Sequence, residues 1–223
     1  MDILKELHFY NPYNGFNPNV YINDVQGWHG DHGIFYELLD NLEPKMILEI
    51  GTWKGQSAIT MGLAIRKLGL ETKIVCVDTW LGSIDFINAI AKDDHERDIK
   101  PIFGYSSIYY QFLTNVISHD LQDIIIPFPQ TSSIACRWLQ NKKILFDLIY
   151  VDGSNDYRDV MVDLDSAWPL LKENGVMFGD DYNHHFFTDI KKGVDEFVEK
   201  YNQKDNFETY DYDLFWLIKK IIE

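Results

Sequence analysis

The sequence has few basic residues and no long apolar segment, and each shortage excludes a class of protein. Lysine and arginine number 20 against 35 aspartates and glutamates, which gives a net charge of −15. A surface this acidic repels a phosphate backbone, so we expect no nucleic-acid partner. No apolar run reaches the ~20 residues that a membrane-spanning helix needs. The N-terminal segment MDILKELHFY also lacks the apolar core of a signal peptide. We therefore expect no membrane partner and a cytoplasmic protein.

Three common site patterns are also missing. The two cysteines, Cys76 and Cys136, lie in a strand-like and a helix-like apolar pattern, without metal-ligand spacing. We expect both to be reduced thiols in the core. The chain contains neither the G-x-G-x-x-G dinucleotide fingerprint nor a Gly-Lys-Ser/Thr phosphate loop. Nothing therefore indicates a cysteine-held zinc site or a nucleoside triphosphate site.

The composition supports one sizeable hydrophobic core. Of the 223 residues, 46% are hydrophobic and 15% are aromatic, and a chain of this length suits one large domain. Residues 1–33 are irregular and rich in aromatic, Asn and Gly residues. We interpret residues 1–33 as an N-terminal arm or cap, and residues 34–223 as the main domain.

Apolar strand patterns and helical patterns alternate along that domain. Strands are predicted at 45–51, 73–80, 123–127, 146–153 and 175–182, and helices at 34–42, 55–68, 132–141, 156–171 and 189–201. Residues 84–120 are mostly helical in pattern, and 207–212 with 214–220 form a closing antiparallel pair. Ser132 or Ser133 is the expected N-cap of the helix at 132–141. Such alternation predicts an α/β, Rossmann-like, doubly wound sheet with helices on both faces.

Glycines and acids follow the first two predicted strands. In the segment EIGTWKGQS, Glu49 ends the first strand, and Gly51 and Gly55 frame the turn into a helix. Ligands of doubly wound folds bind at this turn, although a glycine there also serves a plain tight connection. Asp78 ends the second strand, where a carboxylate can accept both ribose hydroxyl hydrogens. The combination indicates a nucleoside ligand.

Three more acids end later strands on the same rim of the predicted sheet. Asp152 ends the fourth strand, and Asp180 and Asp181 end the fifth. Converging carboxylates repel each other unless a cation or protons intervene. An oxygen-only cluster suits Mg²⁺, Mn²⁺ or Ca²⁺ better than zinc. Alternatively, these acids cap the following helices or stay solvated.

Histidines lie beside this acid pair and in the arm. His184 and His185 follow Asp181 directly, and a histidine with a pKa near ~6.5 is a ready general base. A polar loop is the alternative reading of this stretch. In the arm segment GWHGDHG, His29 and His32 could fold over the site or face solvent.

Taken together, these segments resemble one enzyme family. EIGTWKGQSAITMG resembles the glycine-rich motif of class I S-adenosylmethionine (SAM)-dependent methyltransferases, and VCVDTWLGS resembles their acidic second motif. IYVDGSNDYRDVMVDLDSAWPLLKENGVMFGDDY, followed by KKGVDEF, is similar to a bacterial small-molecule O-methyltransferase group. That group includes sugar methyltransferases of the macrocin, mycinose and novobiocin pathways and a cephalosporin-pathway enzyme. The resemblance covers roughly residues 27–220.

The resemblance implies a seven-stranded sheet whose last strand is antiparallel, with SAM on the first two strand ends. The cofactor-binding residues that it implies are Glu49, Gly51, Thr52, Gly55, Ser57, Asp78, Thr79, Trp80, Ser132 and Asp152, with Ser132 near the adenine. It assigns a Mg²⁺ (or Mn²⁺) ion to Asp152, Asp180 and Asp181.

One position departs from the group. Relatives often carry a histidine three residues after the fourth-strand aspartate, where this chain has Asn155. An amide cannot act as a base. The role must then pass to His184, His185, Asp152 or a group from the arm.

The sequence thus predicts a metal-assisted O-methyltransferase that acts on a sugar hydroxyl, for example of a deoxysugar such as rhamnose in a glycan or glycoside. Two adjacent hydroxyls on one ion would explain the converging acids, which favours a vicinal diol or a catechol. A catechol- or phenol-type enzyme, an NAD oxidoreductase and a non-catalytic SAM-binding module are the alternatives. The expected partner is a small-molecule or glycan acceptor. The sequence leaves open whether the chain forms a homo-oligomer and whether the arm caps its own site or a neighbour's.

Overall fold

A seven-stranded sheet forms the centre of the molecule. The computed structural model describes residues 2–84 and 102–221. The strands stand in the order β3-β2-β1-β4-β5-β7-β6. Strands β1 to β5 pair in parallel, whereas β7 is antiparallel to both of its neighbours. Their bounds are β1 Met46–Ile50, β2 Lys73–Asp78, β3 Ile125–Pro129, β4 Phe146–Val151, β5 Leu171–Gly179, β6 Phe207–Tyr210 and β7 Phe215–Lys219. The predicted α/β class with an antiparallel last strand is confirmed.

Helices cover both faces of this sheet. One apolar cluster joins the sheet to α1, α5, α6 and α7, and a second joins the opposite face to α2, α3 and α4. The helices are α1 Ile3–Leu7, α2 Ile34–Leu42, α3 Gln56–Leu68, α4 Ile108–Ser118, α5 Ser132–Asn141, α6 Tyr157–Ala167 and α7 Thr188–Lys200. Within the predicted helical stretch 84–120, residues 85–101 lie outside the described residues. No helix in the described ranges combines the length and apolar character that crossing a membrane requires.

The strands read as continuous apolar runs because both of their faces are buried. In β1, Leu48 and Ile50 pack into the first cluster, whereas Ile47 packs into the second. Cys76 and Cys136 are free and buried, one in each cluster, as the sequence predicts. The carboxyl ends of β1, β2, β4 and β5 consequently meet at one rim.

The boundary between α6 and β5 differs from the prediction. The helix predicted to run to residue 171 ends at Ala167, and Trp168–Leu170 forms a short 3-10 turn. Pro169 lies in this turn, and proline cannot continue the hydrogen-bond ladder of an α-helix. Strand β5 already begins at Leu171, four residues before Gly175, and a bulge opposite β4 accommodates its polar first half.

The caps of α5 and α6 are side chains that precede each helix. Thr131 caps α5, because its Oγ1 accepts a hydrogen bond from the backbone N–H of Ile134 at 3.4 Å. The predicted caps Ser132 and Ser133 are instead the first residues of the helix. Helix α6 is capped by an acid, since Asp156 accepts from the N–H of Arg158 at 2.9 Å.

Strand β3 forms one edge of the sheet and contains two prolines. It lies two residues later than predicted, because a turn precedes Ile125. The N–H of Gln130 donates to Asp78 O on β2, so alternate residues of β3 face β2 and the others face outward. Pro127 and Pro129 face outward, where a strand can tolerate a missing N–H.

The N-terminal arm covers this edge. The hydroxyl of Tyr13 donates to Ile125 O at 2.8 Å, and Nε2 of His8 donates to Pro127 O at 2.6 Å. The N–H of Ile125 itself donates to Leu121 O at 2.9 Å. The arm is therefore packed on its own chain before it turns towards the rim of the sheet.

Candidate active site

A cavity of about 770 Å³ opens at the carboxyl ends of β1, β2, β4 and β5. This size is typical of a small-molecule site. The predicted site residues on its wall are Gly51, Thr52, Ser57, Asp78, Thr79, Trp80, Ser132, Asp152, Asp180, Asp181 and His184. The structure therefore brings most of the predicted cofactor residues and the acid pair into one cavity.

Gly51 allows the end of β1 to lie directly against the end of β4. Its backbone φ is +80°, and a Cβ at this position would stand 1.9 Å from the backbone oxygen of Asp152. Its N–H donates to Val77 O on β2 at 2.9 Å. Only glycine fits a left-handed backbone this close to another strand. The turn after β1 consequently depends on Gly51.

Asp78 fixes the backbone of the two loops beside the cavity. Its Oδ2 accepts from the N–H groups of Thr52 and Trp53, both at 2.9 Å, and its Oδ1 accepts from the N–H of Trp80 at 2.7 Å. Burial raises the pKa of Asp78, and these backbone donors oppose that rise. The predicted contact with ribose hydroxyls would use a carboxylate that already organises the loops.

Glu49 does not line the cavity. It lies beneath the turn after β1, residues 51–55, which we call the cofactor loop. Its carboxylate is fully buried and accepts from Thr52 Oγ1 at 3.0 Å, from Ser57 Oγ and from Cys76 Sγ. Burial raises the pKa of Glu49 to about 7. The geometry gives Glu49 the task of holding Thr52 and Ser57 in place, and a direct contact with SAM stays a prediction.

The raised pKa of Glu49 predicts a pH-dependent contribution to stability. The folded protein retains the Glu49 proton to about pH 7, whereas the unfolded chain loses it near the ordinary glutamate pKa of 4.5. The stabilisation that results is fully present below the pKa of the unfolded state. It is lost as the pH rises through the pKa of the folded state. Relative to wild type, we expect Glu49→Gln to gain up to about 3 kcal/mol of unfolding free energy between about pH 5 and pH 8. Urea unfolding at several pH values measures this difference. The exposed variant Glu71→Gln is the control, and parallel pH curves for wild type and Glu49→Gln would contradict the assignment.

Of the tryptophans near the cavity, Trp80 packs into the core and Trp28 stays accessible. The Nε1 of Trp80 donates to Trp53 O at 2.8 Å, and its ring contacts Phe112 with centroids 5.0 Å apart. Trp28 is 49% exposed, lines the cavity and stands 6.1 Å from the ring of Trp53. A flat ligand group in the cavity could therefore contact Trp28 more readily than the Trp80 ring.

Gly55 and His185 are not brought to the cavity wall. Gly55 precedes α3 with φ +91°, and a Cβ there would meet the ring of Phe112 at 2.9 Å. The ring of His185 stacks on His184 and lies tilted against Phe186, with centroids 4.9 Å and 3.9 Å apart. Their predicted roles in binding and catalysis receive no support from this placement.

The acidic end of the cavity concentrates negative charge. Asp152 opens to the cavity but is packed deeply among protein atoms, and burial followed by the charges of Asp180 and Asp181 raises its pKa well above the usual range. Burial and Asp180 also raise the pKa of Asp181, to about 6. The hydroxyl of Tyr150 donates to Asp152 Oδ2 at 3.1 Å. A bound cation would relieve the repulsion among these three carboxylates.

A histidine from the arm joins the two acids after β5. His29, Asp180 and Asp181 each offer one ligand atom, and these atoms all lie within 4.8 Å of one another. Among the described residues, Asp152 is not part of this group, so its place as a metal ligand stays a prediction. Asp181 Oδ1 is buried and has no hydrogen-bond partner in the described part of the chain. The donor set and the unsatisfied oxygen fit a divalent cation.

Two other side chains bear on the choice of base. His184 lines the cavity, and its Nδ1 accepts from the N–H of Phe186 at 3.3 Å, which leaves Nε2 available. Asn155 also lines the cavity but cannot accept a proton. His184 is thus better placed than His185 to serve as base.

Asp163 belongs to the site, although the sequence did not single it out. It lines the cavity on α6 and is 6% exposed. Burial raises its pKa to about 7, and a hydrogen bond with Ser132 opposes that rise. A sequence signal existed, because Val160, Asp163, Leu164 and Ala167 follow the spacing of a buried helical stripe. An acid at a buried position of such an apolar stripe is therefore a candidate site residue.

Comparison with known sequences connects this cavity to an enzyme family. The methyltransferase-domain family matches residues 48–182, which run from β1 to the loop after β5. The protein y4gI of Sinorhizobium fredii (strain NBRC 101917 / NGR234) is 26% identical over 176 residues. That match covers 78% of this chain, and the chain spans only 16% of the length of y4gI.

Solved structures share the fold. The O-methyltransferase NovP superimposes with a TM-score of 0.64 at 19% identity, over 91% of this chain and 84% of NovP. TomG from Streptomyces achromogenes, solved in complex with SAM, gives 0.59 at 17% identity, over 90% and 82% of the two chains. The calicheamicin methyltransferase CalS11 gives 0.58 at 17% identity, over 83% and 76%. The fold of this chain is thus shared with solved proteins.

Proposed function

The chain belongs to the methyltransferase-domain family, and on that premise we propose that it is a SAM-dependent O-methyltransferase that methylates a sugar hydroxyl with the help of a divalent ion. One observation carries the proposal. The loop after β1 and the group of His29, Asp180 and Asp181 open onto the same cavity. A methyl donor and an ion-held acceptor can therefore meet there.

The cofactor end of the cavity has the features that SAM requires. The backbone at Gly51 packs directly against the backbone of Asp152, and this contact keeps the turn after β1 at the cavity wall. Gln56 lines this wall, and its Oε1 is buried without a hydrogen-bond partner among the described residues. When bound, SAM supplies an electrophilic methyl group on its sulfonium. TomG was solved with SAM, and an O-methyltransferase from Bacillus cereus was solved with S-adenosylhomocysteine (SAH).

The acidic end has the features that a hydroxyl acceptor requires. Asp180 and Asp181, with Asp152 beside them, would hold a Mg²⁺ or Mn²⁺ ion. Such an ion supplies positive charge that lowers the pKa of an acceptor hydroxyl. His184 and Asp152 lie on the same wall and can take the proton. Positioning of this kind supplies up to about 7–11 kcal/mol of a barrier in favourable cases.

The class of acceptor follows from the way in which hydroxyl groups can bind a single ion at the acidic end of the cavity. Two neighbouring hydroxyls can share one ion, which favours a sugar diol. The resemblance to sugar methyltransferases supports the same class. A catechol offers the same pair of oxygens on a flat ring, and Trp28 on the wall would suit it. The acceptor screen below separates the two.

Calorimetric titration with SAH tests the cofactor. We expect micromolar binding, which corresponds to about −8 kcal/mol, both with Mg²⁺ and with a chelator, because the cofactor loop does not include the acid pair. Absence of binding in both conditions would overturn the proposal. Binding only with Mg²⁺ would contradict the separation of cofactor and metal ends.

The acceptor is then identified by transfer of a labelled methyl group. Sugars and glycosides with vicinal hydroxyls, including rhamnosides, are compared with catechols under equal SAM and Mg²⁺. We expect methylated sugar and no product after chelation. Product from catechols alone would move the chain to the flat-acceptor class. SAH binding without product from either set would favour a non-catalytic SAM-binding module.

A further inference from the structure

The arm brings an imidazole to the acid pair. His29 Nδ1 stands 3.6 Å from Asp180 Oδ2 and 3.7 Å from Asp181 Oδ1. These separations exceed hydrogen-bond range. Donor atoms that share one ion at about 2.1 Å stand roughly 3 Å apart when adjacent and about 4.2 Å apart when opposite. The three side chains are therefore close enough to converge on one ion, and without an ion the same contacts are ion pairs of a protonated His29.

The arm is held at this place by the cofactor loop. Asp24 Oδ2 pairs with Lys54 Nζ at 2.9 Å, and the side chain of Lys54 is only 2% exposed. Gln26 Oε1 accepts from Trp53 Nε1 at 3.2 Å. Asn115 on α4 donates to the backbone oxygens of both Asp24 and Lys54, at 2.7 Å and 2.8 Å. The half-buried charged pair and the hydrogen bonds to Gln26 and Asp24 fix the segment just before His29.

Glycines on both sides of His29 allow the arm to pass close to α3. A Cβ on Gly30 would stand 2.8 Å from the backbone nitrogen of Ser57, and a Cβ on Gly27 would stand 2.8 Å from Gln56 Oε1. The position of His29 is therefore fixed by close packing against the first turn of α3.

Two residues of this cluster have a left-handed backbone. His29 and Asp181 both have φ of +53°, a conformation that costs a non-glycine residue about 1–3 kcal/mol. Asp181 Oδ1, which faces His29, has no hydrogen-bond partner in the described residues. The unsatisfied buried oxygen of Asp181 points to a bound ligand beside it.

We propose that His29 is a ligand of the divalent ion, together with Asp180 and Asp181. The inference rests on the proposed function in that it concerns the same ion. A nitrogen ligand favours first-row transition ions over Mg²⁺ and Ca²⁺, which take oxygen ligands. The site therefore prefers Mn²⁺ to Mg²⁺. The ion would also join the arm to the end of β5.

Electron spin-echo spectroscopy of bound Mn²⁺ tests the ligand directly, because a coordinated imidazole adds nitrogen modulation to the signal. We expect this modulation in the wild type and its loss in His29→Asn, with Mn²⁺ affinity weaker by about tenfold or more. Asparagine tolerates the left-handed backbone at this position, so the arm can keep its conformation. Mg²⁺ competition should require a large excess in the wild type and a smaller one in the variant.

Two control variants remove other imidazoles. His184→Ala removes the histidine that lines the same cavity, and His32→Ala removes the arm histidine whose Nε2 lies 3.0 Å from Asp211 Oδ2. Both should keep the nitrogen modulation. Modulation that persists in His29→Asn, that disappears in His184→Ala, or that is absent in the wild type would overturn the inference.

SAH titration of the same samples separates this inference from the proposed function. Mn²⁺ with nitrogen modulation in a protein that does not bind SAH would support the ligand and overturn the methyltransferase proposal. SAH binding together with Mn²⁺ that lacks nitrogen modulation would overturn the ligand alone. Failure of the wild type to bind Mn²⁺ at all would overturn the ligand and the metal part of the proposed function.

Discussion

We expect Asp181→Ala to reduce methyl transfer at least about 1,000-fold, which corresponds to roughly 4 kcal/mol of transition-state stabilisation. The carboxylate of Asp181 belongs to the group that would hold the ion, and without it the acceptor hydroxyl keeps its proton. SAH affinity should stay within about threefold of the wild type, since the cofactor loop is held by Asp78 and Glu49 and independent sites act additively. Steady-state rates with the acceptor from the screen, together with SAH calorimetry, measure both effects.

The charge and the backbone at residue 181 need separate controls. Asp181→Asn keeps a residue that tolerates positive φ and should lose turnover like the alanine variant, because a neutral amide is a poor substitute for a carboxylate ligand. Asp40→Ala removes an exposed acid from α2 and should leave the rate unchanged. Asp181→Asn removes one of three repelling carboxylates and keeps a residue that tolerates positive φ, so it should not lower the Tm measured without metal. Wild-type turnover in either Asp181 variant would show that this carboxylate has no part in the reaction.

We expect Gly51→Ala to lower SAH affinity at least about 100-fold, or roughly 2.7 kcal/mol. The new Cβ would lie 1.9 Å from Asp152 O and 2.6 Å from Gly153 Cα. These are backbone atoms and cannot rotate away, so the ends of β1 and β4 must separate. Left-handed strain adds about 1–2 kcal/mol. With about 2–4 °C of Tm per kcal/mol for a chain of this size, the Tm should fall by roughly 5–10 °C.

Gly69→Ala distinguishes the lost contact from general strain. Gly69 ends α3 with φ +68°, and a Cβ there meets nothing within 4 Å. The variant Gly69→Ala therefore imposes the same backbone strain as Gly51→Ala, without a collision between the new Cβ and another strand. We expect Gly69→Ala to lower the Tm by a few degrees and to bind SAH like the wild type. Equal SAH affinity in Gly51→Ala and Gly69→Ala would contradict the role given to the turn after β1.

The sequence was sufficient for the sheet because each strand carries its own local signal. Buried parallel strands such as Met46–Ile50 and Phe146–Val151 are short apolar runs, and the helix at Ile34–Leu42 has both predicted bounds. The first half of β5 could not be predicted in this way. Its residues Lys172 to Asn174 are polar. They belong to the strand because the pairing of β5 with β4 continues across a bulge to Leu171.

The site was predictable where residues follow strands and unpredictable where the arm folds back. Asp78, Asp152 and Asp180 reach one cavity because parallel strands end at one rim. The position of His29 depends on contacts between residues 24–30 and a loop about 30 positions away, such as Asp24 with Lys54. An irregular segment has no periodicity that reveals such contacts. The sequence therefore named His29 as a candidate but could not choose between the cavity and solvent.

The edge strand β3 has a consequence for how the folded chain behaves at high concentration. Exposed sheet edges template the addition of further strands and so promote aggregation. Along the outward side of β3, Pro127 and Pro129 have no N–H to offer, and the N–H of Ile125 is used by Leu121. The outward oxygens of Ile125 and Pro127 are occupied by Tyr13 and His8. Intermolecular strand pairing has no free donor on this side, so this edge resists fibrillar self-association as long as the arm is in place.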